Sequence, residues 1–223
     1  MNGTGKKVSI IETTLVPLQA LRETFARILP EVELNSFVDE SLLEETKAAG
    51  KITRNVVRRY CTYAVFAESI GSHLIFNQCS SVGEVVELAQ QLVRIPILKT
   101  DLPMAEEAVT CGSKIAVLAT APTTVEPTSR LIHSVARQAG KDVDVSTRLC
   151  SDAFLLLSKG DREGHNRILV EAVHHLEKQV DVIVLAQGSM AVLLDQLQDI
   201  RVPVLTSLES GVLRAKEILE RME

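Results

Sequence analysis

Apolar residues along this chain fall into two kinds of stretch. Short runs rich in β-branched side chains alternate with longer stretches in which apolar positions recur every three to four residues. The short runs predict strands over residues 8–11, 73–77, 95–98, 115–119, 182–185 and 202–206, with weaker strand candidates at 31–37 and 142–148. Between them the longer stretches predict helices near 17–28, 55–70, 82–92, 104–111, 127–139, 163–179, 190–196 and 210–221. In the 163–179 stretch, Ile168, Ala172, Leu176 and Val180 have the spacing of a core-facing stripe. Strand and helix alternating in this way imply a parallel, doubly wound α/β sheet.

The pattern also repeats. Lys7-Val-Ser-Ile-Ile-Glu-Thr13 matches Lys114-Ile-Ala-Val-Leu-Ala-Thr120, and His73-Leu-Ile-Phe-Asn-Gln-Cys79-Ser-Ser81 matches Asp181-Val-Ile-Val-Leu-Ala-Gln187-Gly-Ser189. Arg94-Ile-Pro-Ile-Leu98 then matches Arg201-Val-Pro-Val-Leu205. The matches keep one order and nearly one spacing, close to half the chain length, so two similar α/β halves are expected. The last helix, 210–221, corresponds to the 104–111 helix. It is expected to pack back on the first half and tie the halves together. Residues 1–104 plus 206–223 would then form one half and 105–205 the other.

Composition narrows the class. The 223 residues are 46% hydrophobic but only 3% aromatic, with no Trp. Ala, Val, Leu and Ile must therefore build the core, as suits helices laid on a parallel sheet. A formal net charge of −5 lacks the basic face that nucleic acid needs. No run of 18 apolar residues suggests a membrane span, and the polar start of the sequence does not read as a signal peptide. The four cysteines, Cys61, Cys79, Cys111 and Cys150, are far apart and form no CxxC pair. That usage fits a cytoplasmic protein with reduced thiols better than a disulfide framework or a zinc site.

Ligands of open parallel sheets bind beyond the carboxyl ends of the strands. The repeat puts four loops there: Glu12-Thr13-Thr14, Cys79-Ser80-Ser81, Thr120-Ala-Pro-Thr123-Thr124 and Gln187-Gly188-Ser189. Hydroxyls and backbone N–H groups at such places suit a carboxylate or phosphate, although the same residue types also cap helices. A cleft where the loops meet is the expected active site. Cys79 is the one strong acid/base or nucleophile candidate among them. It ends a strand and precedes a helix start, a setting that lowers a thiol pKa from ~8.5 towards roughly 3.5–7.5. Cys61, Cys111 and Cys150 carry no assigned role. His165 reads as a cap or supporting residue, and His73 and His133 as structural. Arg58, Arg59 and the charges of residues 44–51 read as a solvated helix face.

The motifs Asn77-Gln-Cys79-Ser-Ser81 and Leu185-Ala-Gln187-Gly-Ser189 resemble those of the aspartate/glutamate/hydantoin racemase superfamily. Thr120-Ala-Pro-Thr123-Thr124-Val-Glu-Pro127-Thr and Gly160-Asp161-Arg-Glu-Gly-His165-Asn add to the likeness, which spans almost the whole chain. The resemblance implies two pseudo-symmetric Rossmann-like halves with the active site in the cleft between them, and no cofactor. It also implies two catalytic cysteines, one per half, of which one removes an α-proton and the other protonates the opposite face. Carried over by motif, Cys79 takes the first cysteine's place, with Ser80 and Ser81 as adjoining substrate-binding residues. Thr120 and Thr123 match the Thr-x-x-Thr loop that holds a substrate carboxylate, and Glu12 and Thr13 the acidic and hydroxyl residues of the first loop. Gln187 stands in the second cysteine's place, followed by Gly188 and Ser189, and a carboxamide cannot titrate.

The resemblance thus implies a cofactor-independent racemase or isomerase using thiol acid/base chemistry next to a carboxylate of an amino acid or related small acid. Two alternatives stay open. One is a single-cysteine decarboxylase or isomerase of the same superfamily; the other is a carboxylate-binding sensor without turnover. A cysteine hydrolase fits less well, because no His falls in the four loops to act as base. In each case Gln187 would donate hydrogen bonds to substrate. A homodimer is what the resemblance suggests, with no metal, nucleic acid or membrane as partner.

Overall fold

The computed structural model describes residues 5–222. The chain divides into two units, Met1–Thr100 with Leu208–Glu223, and Asp101–Ser207. In the first unit, parallel strands β1 (Lys7–Glu12), β2 (Glu33–Val38), β3 (Leu74–Asn77) and β4 (Ile97–Lys99) lie in the order β2-β1-β3-β4. Both faces of the sheet are apolar, so both must be covered. Ile11, Ile75 and Ile97 meet helix α3 (Arg54–Ser69), whose Val56, Tyr60, Ala64 and Ala67 form a buried stripe, and Leu42 of α2 (Glu40–Ala49). On the alternate positions Phe76 of β3 packs edge-on against Phe25 of α1 (Leu18–Ile28), ring centroids 5.3 Å apart. Helix α9 (Ser207–Glu220) supplies a further buried stripe, Leu208, Val212, Ala215 and Leu219.

The second unit repeats the plan. Strands β5 (Lys114–Ala119), β6 (Asp144–Leu149), β7 (Val182–Leu185) and β8 (Val204–Thr206) are parallel in the order β6-β5-β7-β8. Ile115, Val117, Val182 and Val184 face α5 (Leu102–Cys111) and α6 (Pro122–Gln138). Ala116, Leu118, Ile183 and Leu185 face α7 (Ser151–Ser158) and α8 (Arg162–Leu176). The duplication extends to single contacts. The Lys7 N–H donates to His73 Nδ1 at 3.0 Å, and the Lys114 N–H to Asp181 Oδ2 at 2.8 Å, so matching side chains tie β1 to β3 and β5 to β7. Glu68 accepts from the Arg94 N–H and Glu177 from the Arg201 N–H, each fixing the turn into the last strand of its sheet. His73 is thus structural. Among the described residues no helix is long and apolar enough to cross a membrane.

Several elements depart from the periodicity. Residues 82–92 form a 3₁₀ segment, Ser80–Val85, and a short α4 (Val86–Ala89) rather than one helix, and 190–196 lie in a 3₁₀ segment, Gly188–Gln196. In the first case Val82, Gly83, Val85, Val86 and Ala89 are all buried, so contacts from several sides override the helical face. Helix α6 starts at Pro122, with Pro127 inside it, so the expected Thr123-Thr124 loop is its first turn. Helix α7 was not expected, since only Ala153 of its apolar run is buried. The buried stripe of α8 runs through His165, Leu169, Val173 and Leu176; Ile168, Ala172 and Val180 lie on its flank. Arg59 is not a solvated charge: it pairs with Asp39 at 3.1 Å and Glu45 at 2.7 Å.

Candidate functional site

In each sheet the chain's crossovers diverge between β1 and β3 or between β5 and β7, and ligands of such sheets bind beyond the carboxyl ends at that point. In the first unit that point joins the end of β1 to the end of β3. Ile11 and Asn77 are register partners, and the Gln78 N–H donates to the Ile11 carbonyl at 3.1 Å. The next residues, Glu12 and Thr13 on one side and Cys79 on the other, are thereby brought together. Glu12 and Thr13 are both 1% exposed, and Cys79 is half-buried. Ser81 is buried and its N–H and hydroxyl turn towards Cys79, whereas Ser80 is half-exposed.

The electrostatics of this cluster run against the expected thiolate. Burial pushes the Cys79 thiol up and the nearby Glu12 charge adds to the shift, while the Thr13 hydroxyl and the Ser81 donors oppose it. The element after Cys79 is a short 3₁₀ segment, so little helix dipole is available to offset burial. Burial likewise pushes the Glu12 carboxyl up to about 8, despite the N–H groups of Thr13 and Thr14. Glu12 Oε1 accepts the Thr13 N–H at 2.8 Å, and the buried Oε2 has no partner. At neutral pH both groups therefore hold their protons. Once either has given up its proton, a thiol and a carboxyl side by side can pass the other between them.

In the second unit the equivalent point brings Thr120, 3% exposed, against Gln187. The Thr120 N–H donates to Gln187 Oε1 at 2.7 Å, and Gln187 Nε2 donates to Thr120 Oγ1 at 2.9 Å. Oε1 and one Nε2 hydrogen of the carboxamide are therefore engaged within its own unit. Gly188 and Ser189, both half-exposed, follow it into the 3₁₀ segment. Thr123 is half-buried in the first turn of α6, where Thr124 Oγ1 bonds the Ala121 carbonyl at 2.8 Å.

The remaining candidates separate clearly. Cys150 is 6% exposed in the core, Cys61 packs against the α3 cluster with its thiol pushed up by burial, and Cys111 is exposed. His165 is not the cap of α8; Asp161 is, accepting the Gly164 N–H at 2.8 Å. His165 lies in the buried stripe, its Nδ1 2.9 Å from Asn166 Oδ1. Two buried groups that were not among the expected site residues stand behind Cys79. Tyr60 donates to Asn77 Oδ1 at 2.9 Å, and Asn77 Nδ2 donates to the Cys79 carbonyl at 3.2 Å. Their signal was a phenol in an otherwise apolar stripe and an amide ending an apolar strand. Among the described residues no three His, Cys, Asp or Glu side chains converge as metal ligands.

Two doubly wound units with the same strand order, each gathering polar residues at its switch point, define a duplicated α/β protein. A profile of the Asp/Glu/Hydantoin racemase family matches residues 12–215, and the chain belongs to that family. Among solved structures, the allantoin racemase from Klebsiella pneumoniae is similar at TM-score 0.72 and 15% identity, over 98% of this chain and 89% of that one. The Picrophilus torridus aspartate racemase gives 0.72 and 15%, over 96% and 95%. A glutamate racemase isoform from Bacillus anthracis gives 0.74 and 15%, over 99% and 84%. At these identities the likeness is one of fold. Comparison with curated proteins gives no match.

Proposed function

We propose that this chain is a racemase-type isomerase in which Cys79 moves the proton on the carbon next to the carboxylate of an amino acid or related small acid. The observation that carries the reading is the buried group of Cys79, Glu12 and Thr13 where β1 and β3 end. A carbon acid of this kind is weak. Its proton is lost only if a base sits against it while hydrogen-bond donors hold the enediolate oxygens. The Cys79 thiolate would take the α-proton, leaving the electron pair on the substrate as an enediolate; return of a proton from Sγ to the same face gives exchange with retention, and a proton from water on the opposite face gives inversion, the thiol then losing its proton to solvent. Above pH about 8, where Glu12 has lost its own proton, its carboxylate would accept the thiol proton beforehand and release it afterwards. Proton removal and return are the whole of the step, so no cofactor takes part in it.

A second reading is favoured by two features together, the raised thiol and the amide at Gln187. A thiol that keeps its proton is a better donor than base, and a carboxamide cannot supply the opposite face. Such a site suits a one-sided reaction: a substrate loses carbon dioxide, the bond pair stays on carbon, and Cys79 protonates it.

Deuterium incorporation at the α-carbon of a panel of 2-substituted acids in D2O, followed with carbon dioxide release, tests both. Exchange that disappears in a folded Cys79→Ser variant supports the first reading, and thiol-dependent carbon dioxide release the second. Turnover that survives in Cys79→Ser ends both. Ligand binding without either reaction leaves a carboxylate-binding module.

A further inference from the structure

We infer that Tyr60 and Asn77 are positioning residues for Cys79, a buried hydrogen-bonded relay that fixes the thiol's backbone and belongs to the site rather than to the fold. The inference rests on the proposed role of Cys79 and deepens it.

Tyr60 and Asn77 are both 0% exposed. A phenol and a carboxamide taken wholly out of water destabilise a core unless each polar atom is paired. Here the pairing has a direction. The Tyr60 hydroxyl, kept protonated by burial, donates to Asn77 Oδ1, so the amide's nitrogen end is turned towards Cys79. That end donates to the Cys79 carbonyl, which also accepts the Val82 N–H at 3.3 Å. Asn77 is itself held on the sheet, paired with Ile11 and Lys99, and its carbonyl takes the Thr100 N–H at 3.0 Å. The peptide after Cys79 is thus pinned from two directions to rigid elements. Its orientation sets the direction in which the Cα–Cβ bond sends the sulfur.

The duplicated fold contains its own control. In the second unit Leu185 occupies the Asn77 position, at the end of the third strand, and Leu169 the Tyr60 position, in the matching buried stripe. Both leucines are 0% exposed in one apolar cluster. The same sheet and helix therefore pack with leucines alone. The polar pair occurs in the unit that carries the thiol, and the apolar pair in the unit that carries Gln187.

The test compares the second-order rate of iodoacetamide labelling at Cys79 against pH in the full-length wild type, Tyr60→Phe and the double variant Tyr60→Phe/Asn77→Leu. Labelling is read residue by residue by peptide mass spectrometry. The double variant copies the second unit's apolar pair and leaves no amide unsatisfied, so it is expected to fold. Cys61, half-buried one residue from Tyr60, reports any general loosening of α3. The relay predicts that the Cys79 rate or its pH midpoint shifts by roughly threefold or more while Cys61 labelling is unchanged. For any acid that exchanges its α-proton, kcat should fall while KM stays the same. An unchanged Cys79 profile in the folded double variant, or Cys79 and Cys61 changing together, overturns the relay. A shifted Cys79 profile with no thiol-dependent turnover of any acid would instead sink the proposed function and leave the relay standing.

Discussion

Gln187 holds Thr120 by both of that residue's donor groups, Oε1 lying 2.7 Å from the backbone N–H and 3.2 Å from the hydroxyl. The amide therefore closes the end of β5 against the end of β7, as Thr13 and Cys79 close β1 against β3. Replacing it with Ala strands a buried N–H. Gln187→Ala is expected to destabilise the protein by about 1–3 kcal/mol in urea denaturation, with Cys79 labelling unchanged.

Cysteine at the same position supplies a titratable group and frees the Thr120 donors. Gln187→Cys is expected to create or accelerate racemisation, seen as decay of optical activity in an acid that exchanges its α-proton. If exchange stays fast while optical activity is retained, the second thiol is not what the reaction lacks.

Cys79→Ala removes the proposed acid/base group from a half-buried position. Deuterium incorporation at the α-carbon should fall roughly 10²–10⁴-fold, while far-ultraviolet circular dichroism stays as in the wild type.

Glu12 makes stability depend on pH. Its carboxyl titrates near 8 in the folded chain against 4.5 ordinarily, so the native state keeps the proton that the unfolded chain loses. The native state's advantage is complete below pH about 4.5 and is lost as pH rises to about 8. Glu12→Gln should flatten that slope. Relative to wild type, the variant's unfolding free energy should gain on the order of a few kcal/mol across the window, measured by urea midpoints from pH 4 to 9. Because the Glu12 charge also raises Cys79, the variant should move the alkaline rise of Cys79 labelling to lower pH.

A methyl group at Gly211 has no room. An added Cβ would lie 2.8 Å from Thr100 Oγ1, 2.9 Å from the Thr100 carbonyl and 3.1 Å from Phe76. Gly211→Ala should therefore cost about 1–3 kcal/mol, read as a lowered thermal midpoint.

Strands β1, β3, β5 and β7 were legible because parallel strands buried on both faces read as continuous apolar runs, Val-Ile-Val-Leu being the plainest. The edge strands β2 and β6 were weaker signals because most of their residues keep contact with water. Helix α7 was hidden by Phe-Leu-Leu-Leu, which has no helical period, and the start of α6 by Pro127, which reads as a first helical position although it lies inside the helix. The position of Cys79 at a strand end could be read directly. The direction of its pKa could not, because burial and the charge of Glu12 arise from pairing between strands distant in sequence. Likewise nothing local to Gln187 indicates that its Oε1 takes the Thr120 N–H.

The last helix of the sequence completes the first sheet. Phe76 and Thr100 receive Gly211 only after the whole of the second unit has been made. During synthesis residues 5–100 leave the ribosome with Phe76 covered on one flank by Phe25 of α1 but Thr100 and the α9 flank still open, and chain growth at ~5–20 residues per second sets how long they stay so. The second unit has no such wait, since α5 precedes the strands it covers. Translation order thus favours the Gln187 unit as the earlier to settle, and leaves the thiol-bearing unit to be finished by α9.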